Sequence, residues 1–235
     1  LRAKRVQGKQ SAKVSVGKQE IISISRREVE RIDSYISRKE STEQEAQPSQ
    51  EYIDQSGICR ESEGLKARLR AVAVGKEQAT DYQRLVLEVL NFLFNPELIN
   101  GELEVETVDG TERRDIIFTN DSDKSFWAYL RTEHSSIFLM FEVKNTESLS
   151  NIYFNQVATY LGDRLGRLGF IVTRHPMENA QREKAFSIYN DSHPRKIILT
   201  LSDDDLNHML DMKCAGGDPM RHVQELYRQF RTTVQ

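Results

Sequence analysis

Long hydrophobic runs, cysteine and organised glycine are all scarce in this chain of 235 residues. No apolar stretch approaches the roughly 20 residues that a bilayer-spanning helix needs, which excludes a helical membrane protein and leaves a cytoplasmic location as the expectation. The basic first residues are not followed by an apolar segment, so no secretory leader is expected. Only Cys59 and Cys214 occur. Two cysteines make neither a disulfide scaffold nor a zinc cluster, and they are expected as free thiols in a reducing compartment. The histidines, at 134, 175, 193, 208 and 222, lack metal-ligand spacing. The glycines are scattered and form no phosphate-cradling loop. No segment repeats another.

Charge of one sign is also lacking overall. The net charge is -3, which does not by itself mark a nucleic-acid binder. Its distribution is uneven. Residues 1–18 carry Arg2, Lys4, Arg5, Lys9, Lys13 and Lys18 and no acid, whereas residues 64–235 carry 21 basic against 25 acidic residues. A protein of that balance can hold nucleic acid only by gathering its cations on one face, because phosphate contacts supply most non-specific affinity. Residues 1–38 read as a basic extension with a short hairpin and a helix from Arg26 to Arg38, capped by Ser25 with Glu28 as its capping-box partner. Residues 39–63, rich in Glu, Gln and Ser, read as a polar linker. Residues 64–235 read as one domain.

Within that domain the hydrophobic periods predict a short helix from Gly64 to Val74 and a longer one from Glu77 to Phe94, whose apolar face is Val86, Leu87, Leu90, Leu93 and Phe94. An alternating strand follows at 102–108, then an Asp109-Gly110 turn and a strand at 113–119. After a helical turn at 126–131 comes the strand ending at Asn145, then helices and strands in alternation: helix 151–165, strand 169–173, helix 178–189, strand 196–201, helix 203–212 and helix 219–231. This order is an α/β architecture with a mixed sheet, an antiparallel meander first and right-handed crossovers after it.

Two of the strands end in charge. One begins Asp115-Ile-Ile-Phe; the other runs Ile137-Phe-Leu-Met-Phe-Glu142-Val-Lys144-Asn145. Side chains alternate faces along a strand, so Glu142 and Lys144 share a face. A carboxylate and an ammonium at the end of an apolar strand are costly to bury unless paired or bound. Asp115 and Glu142 can together hold a hard divalent cation through oxygen, and Lys144 can act on an anionic substrate.

Asp115 followed by Glu142-Val143-Lys144 resembles the PD-(D/E)xK nuclease superfamily over about residues 64–235. Arg114 stands where the family's name has proline. The helix after the site carries Gln156-Val-Ala-Thr-Tyr160, which is similar to the QxxxY motif of the RecB-like branch; at i, i+4 the two side chains share a helix face. The resemblance implies a three-layer restriction-endonuclease-like sandwich with a small N-terminal extension. It implies Mg²⁺, with Mn²⁺ as a substitute, held by Asp115, Glu142 and the Val143 carbonyl. Catalytic roles then fall to Asp115, Glu142, Lys144, Gln156 and Tyr160. Many members add an acid from the first long helix; the matching position here is Gln83, with Glu88 one turn on as the substitute. Of the arginines at 113, 114, 164, 167 and 174, Arg114 and Arg174 are the leading candidates for substrate phosphate. The implied function is Mg²⁺-dependent hydrolysis of DNA phosphodiesters by an endonuclease, as the cleavage domain of a restriction or anti-phage defence protein. RNA is the second substrate candidate. A homodimer or a place in a larger multidomain protein is the expected assembly. The alternative is a catalytically silent nuclease fold that grips nucleic acid or a partner protein.

Overall fold

The apolar spacing of the chain becomes a five-stranded sheet between helices in the computed structural model, which describes residues 55–106 and 113–234, side chains at 55, 104–106 and 113–114 excepted. All of these lie in the unit Asp54–Gln235. The elements in order are α1 (Gln55–Ala71), a 3-10 turn (Lys76–Gln78), α2 (Ala79–Phe94), β1 (Leu98–Glu106), β2 (Arg113–Asn120), α3 (Ser125–Glu133), β3 (Phe138–Lys144), α4 (Asn151–Tyr160), β4 (Leu168–Thr173), α5 (Asn179–Asp191), β5 (Ile197–Ser202), α6 (Asp203–Cys214) and α7 (Met220–Thr233). The basic extension at 1–38 and the Asp109-Gly110 turn lie outside the described residues.

The strands lie in the order β1-β2-β3-β4-β5. The β1–β2 and β2–β3 pairs are antiparallel, and β3–β4 and β4–β5 are parallel. The α/β class and the change from meander to crossover are as expected. Every residue of β4 is buried, as a parallel strand covered on both faces should be.

The two faces can be told apart by what touches them. A Cβ on Gly101 of β1 would meet both Phe118 of β2 and Leu87 of α2, so Phe118 looks toward α2. Phe118 meets Phe141 of β3 edge-on, and Phe141 stacks on Phe170 of β4 with centroids 4.7 Å apart. On the opposite face Gly169 of β4 lies against Val157 and Leu161 of α4 and its end. Each fully buried Phe or Leu of these layers contributes about 1.5–3 kcal/mol. Because Gly169 pairs with Met140, Met140, Glu142 and Lys144 belong to the α4 face of β3.

Three expectations need correction. First, α1 begins at Gln55, so residues 55–63 of the expected linker are helical. Their apolar content is low, but Ser62, Leu65 and Leu69 are all buried. Second, α4 ends at Tyr160 rather than Leu165, because Leu161 is extended and Gly162 pairs with Gly166 instead of continuing the helix. Gly166 has φ 99°, and a Cβ there would strike the Ser136 backbone at 2.6 Å. Third, Cys59 and Cys214 are not free thiols but a disulfide. Packing of α1 on α6 brings their Cα atoms to 4.6 Å across a separation of 155 residues, a proximity that no local pattern announces.

Candidate active site

The site forms where β2 begins and β3 ends. The antiparallel register places Ile116 opposite Phe141, which carries Asp115 to the level of Glu142 and Val143. Alternation then puts Asp115 on the side of Ile117 and Thr119, away from the buried Ile116 and Phe118. Asp115 Oδ2 accepts the Val143 N–H at 2.7 Å. Lys144 Nζ donates to Glu142 Oε1 at 2.6 Å and stands 3.9 Å from Asp115 Oδ2. The three charged groups expected to meet therefore do meet, on one face. They differ in access: the side chain of Glu142 is 1% exposed, that of Lys144 18% and that of Asp115 23%.

Burial raises the Glu142 carboxyl above the ordinary carboxylate range, and the nearby Asp115 charge adds to this, while Lys144 opposes both. For Lys144 burial works downward, but the charge and hydrogen bond of Glu142, with Asp115 behind them, carry it above the ordinary lysine value. The ammonium form is thus the one this pocket favours. Glu142 Oε2 is buried with no hydrogen-bond partner among the described residues. A carboxylate oxygen in that condition costs on the order of 1–3 kcal/mol, and more if charged.

The surrounding residues are positioned by three elements. From α2, Gln83 Nε2 reaches the main-chain oxygen of Asp115 at 3.4 Å, so it touches the strand rather than the carboxylate. From α4, Tyr153 lies under Lys144, whose Nζ is 4.8 Å from the ring centroid. Sequence reasoning missed Tyr153, although it shares the i, i+3, i+7 face with Gln156 and Tyr160. Gln156 Nε2 donates to Tyr160 Oη at 3.0 Å, so these two are brought to each other. The third element is the α1–α2 loop. Asn145 Nδ2 donates to the Ala73 and Gly75 oxygens, and the Asn145 main-chain oxygen accepts the Gly75 N–H. Gly75 has φ 131°, a conformation that glycine tolerates, and this loop pins the residue next to Lys144.

Other expected residues are committed elsewhere. Glu88 forms a two-point ion pair with Arg68 of α1, at 2.5 and 2.6 Å, and is no substitute acid for the site. Arg174, the leading phosphate candidate, has a side chain only 8% exposed and is bound within the protein. Its Nε is 3.1 Å from Asp203 Oδ2, its Nη2 donates to the Leu69 and Val72 oxygens at the end of α1, and its guanidinium lies over the Tyr82 ring. Tyr82 Oη in turn donates to Asp203 Oδ1 at 2.7 Å. Arg167 donates to the Glu133 oxygen. The side chains of Arg113 and Arg114 lie outside the described residues.

A hard divalent cation suits the donors present. They are a buried carboxylate oxygen on Glu142 with no partner among the described residues, the half-buried Asp115 carboxylate and the carbonyl of Val143 between Glu142 and Lys144. Among the described residues no three His, Cys, Asp or Glu side chains gather for a metal, so the acidic donors here are two. Mg²⁺ keeps several waters and takes oxygens from a phosphate substrate, and two protein carboxylates are compatible with that habit.

Comparison with known proteins adds little to this geometry. No family model matches the chain, and no solved structure matches it. The chain is similar to a putative transposon gamma-delta 80.3 kDa protein of Escherichia coli (strain K12), with 29% identity over 126 residues. The match takes in 53% of this chain but 18% of that protein. Among the described residues no helix is long and apolar enough to cross a membrane.

Proposed function

We propose that the chain is a metal-dependent nuclease with a restriction-endonuclease-like three-layer sandwich, cutting DNA phosphodiesters internally. The observation that carries this reading is the convergence of Asp115, Glu142 and Lys144 on one face of adjacent strands, with a buried Glu142 oxygen lacking a partner among the described residues. Asp115, Glu142 and the Val143 carbonyl would hold Mg²⁺, or Mn²⁺ in its place. When bound, such an ion lowers the pKa of a water and offsets charge on the phosphate.

The chain's own groups do the rest. Asp115 is braced by the Val143 N–H, which fixes its carboxylate toward the shared face. Lys144, held as ammonium by Glu142 and steadied by the Tyr153 ring, donates to the phosphate oxygen on which charge builds. Gln156, paired with Tyr160, is available to orient the attacking water or a phosphate oxygen. Gln83 steadies the Asp115 main chain. Arg114, next to Asp115 in the chain, is the phosphate contact this reading offers. The transposon protein that the chain resembles supports a DNA context. By resemblance the setting is a cytoplasmic restriction or anti-phage defence protein of several domains.

The test is incubation of plasmid, linear DNA and RNA with the full chain in Mg²⁺, Mn²⁺ or chelator, beside Asp115→Asn and Lys144→Ala. Metal-dependent cutting by the wild type alone is the expected result. Equal cutting by all three overturns the assignment. DNA binding in chelator without cutting in any metal selects the silent binding fold.

A further inference from the structure

A second concave surface lies between α3 and α7, near the start of β3 rather than its end. None of its lining residues belongs to the Asp115 site. The cavity has a volume of about 770 Å³, within the usual range for ligand sites. Its walls combine three rings, Phe126, Tyr129 and Tyr227, with three arginines, Arg221, Arg228 and Arg231. One acid, Glu225, also lines it, and it is already held by Arg228 at 2.6 and 2.7 Å. The positive charge therefore exceeds the negative, and Arg221 has no ion-pair partner among the described residues.

Tyr129 is the ring presented to solvent, and Phe126 and Tyr227 are buried behind it. Tyr129 is 42% exposed and meets Tyr227 edge-on. Their hydroxyls are 3.1 Å apart, and Tyr227 Oη is 2.8 Å from Nε2 of the buried His134. Burial pushes the His134 imidazole down to about 4, so it is neutral at neutral pH and adds no charge behind the two tyrosines. Arg231 leans across Tyr227. Aromatic faces with arginine around them are what a nucleobase and its phosphate require: stacking is indifferent to base identity, and guanidinium matches phosphate geometry.

We propose that this cavity binds a nucleoside phosphate, its base on Tyr129 and its phosphate on Arg221 and Arg231. The ligand is either a free nucleotide or one unit of a single strand. The inference does not rest on the nuclease reading, since none of these residues belongs to the Asp115 site.

Fluorescence polarisation of the full chain in chelator separates the sources. The probe is a labelled short oligothymidylate, with thymidine monophosphate as competitor. Displacement by the mononucleotide assigns the cavity to free nucleotide; binding that the mononucleotide does not displace assigns it to a strand. In either case Tyr129→Ala weakens binding roughly tenfold, Tyr129→Phe restores it, and Arg221→Glu weakens it by a similar factor and lowers its salt dependence. Both sites are exposed, and circular dichroism checks the fold. Binding unchanged in Tyr129→Ala and Arg221→Glu overturns the proposal, as does loss in Tyr129→Phe equal to that in Tyr129→Ala.

Discussion

Two carboxylates, Asp203 half-buried and Glu142 buried, mark the same end of this sheet, and they are satisfied differently. Asp203, at the start of α6, has both oxygens engaged, one by a hydrogen bond from Tyr82 Oη and one by an ion pair with the Arg174 guanidinium, whose buried Nε and Nη1 have no hydrogen-bond partner among the described residues. Glu142, near the end of β3, has one oxygen on Lys144 and the other on nothing described. Burial raises both carboxyls above their ordinary values. The Asp203 cluster ties α1, α2, β4 and α6 together, since Arg174 also holds the last carbonyls of α1. The Glu142 cluster ties only its neighbours and keeps a lone pair unused. A buried charge whose partners are all in the protein acts as a fastener; one left incomplete is available to something that arrives.

The contrast can be broken most easily at Lys144. Lys144→Ala is expected to lower metal-dependent DNA cleavage by about 10²–10³-fold with an unchanged circular dichroism spectrum. Arg174→Met should do the reverse. It leaves the half-buried Asp203 without its cation and costs about 3 kcal/mol of stability, read in thermal melts, while the cleavage rate per folded molecule persists. Loss of cleavage with an unchanged melting temperature would mean that the two clusters had been assigned the wrong way round.

The pH dependence sharpens the contrast further. A carboxyl raised in the folded state binds more protons there than in the unfolded chain, so it lowers stability as pH climbs from its ordinary value through the raised one. For Glu142 that window opens at about 4.5. Melts of wild type and Glu142→Gln from acid to neutral pH should show the difference moving in favour of the variant as pH rises; a difference that stays flat would show that Glu142 is not raised. The smallest effect is expected at Tyr153. Replacing it with Leu removes the ring beside Lys144, worth about 0.5–1 kcal/mol, and should slow cleavage two- to fivefold. Tyr153→Phe keeps the ring and the rate.

Much of this was legible from residue patterns, and the failures share a cause. The strands showed through their apolar runs, alternation put Glu142 and Lys144 on one face, and the resemblance added Asp115 to them, which the antiparallel β2–β3 register brings to that level. Each of these depends on neighbours in sequence or on one adjacent strand. Arg174 looked like a site residue because it ends a buried strand, but its partners Leu69, Val72 and Asp203 come from helices remote in the chain. Glu88 looked available until Arg68 was brought against it by helix packing. The start of α1 was hidden by its polar composition, because its helicity depends on burying one face against α6. Tyr153 stands three residues before Gln156 on the same helix face, but only the β3–α4 packing brings its ring to Lys144.

The Cys59–Cys214 bridge has a mechanical corollary. With it closed, the segment from 60 to 213 is a covalent ring containing every strand of the sheet. A protease nick inside that ring leaves one species on a gel until reductant is added. Tension drawn along the chain from either side passes through two sulfur atoms and never loads the β-ladder.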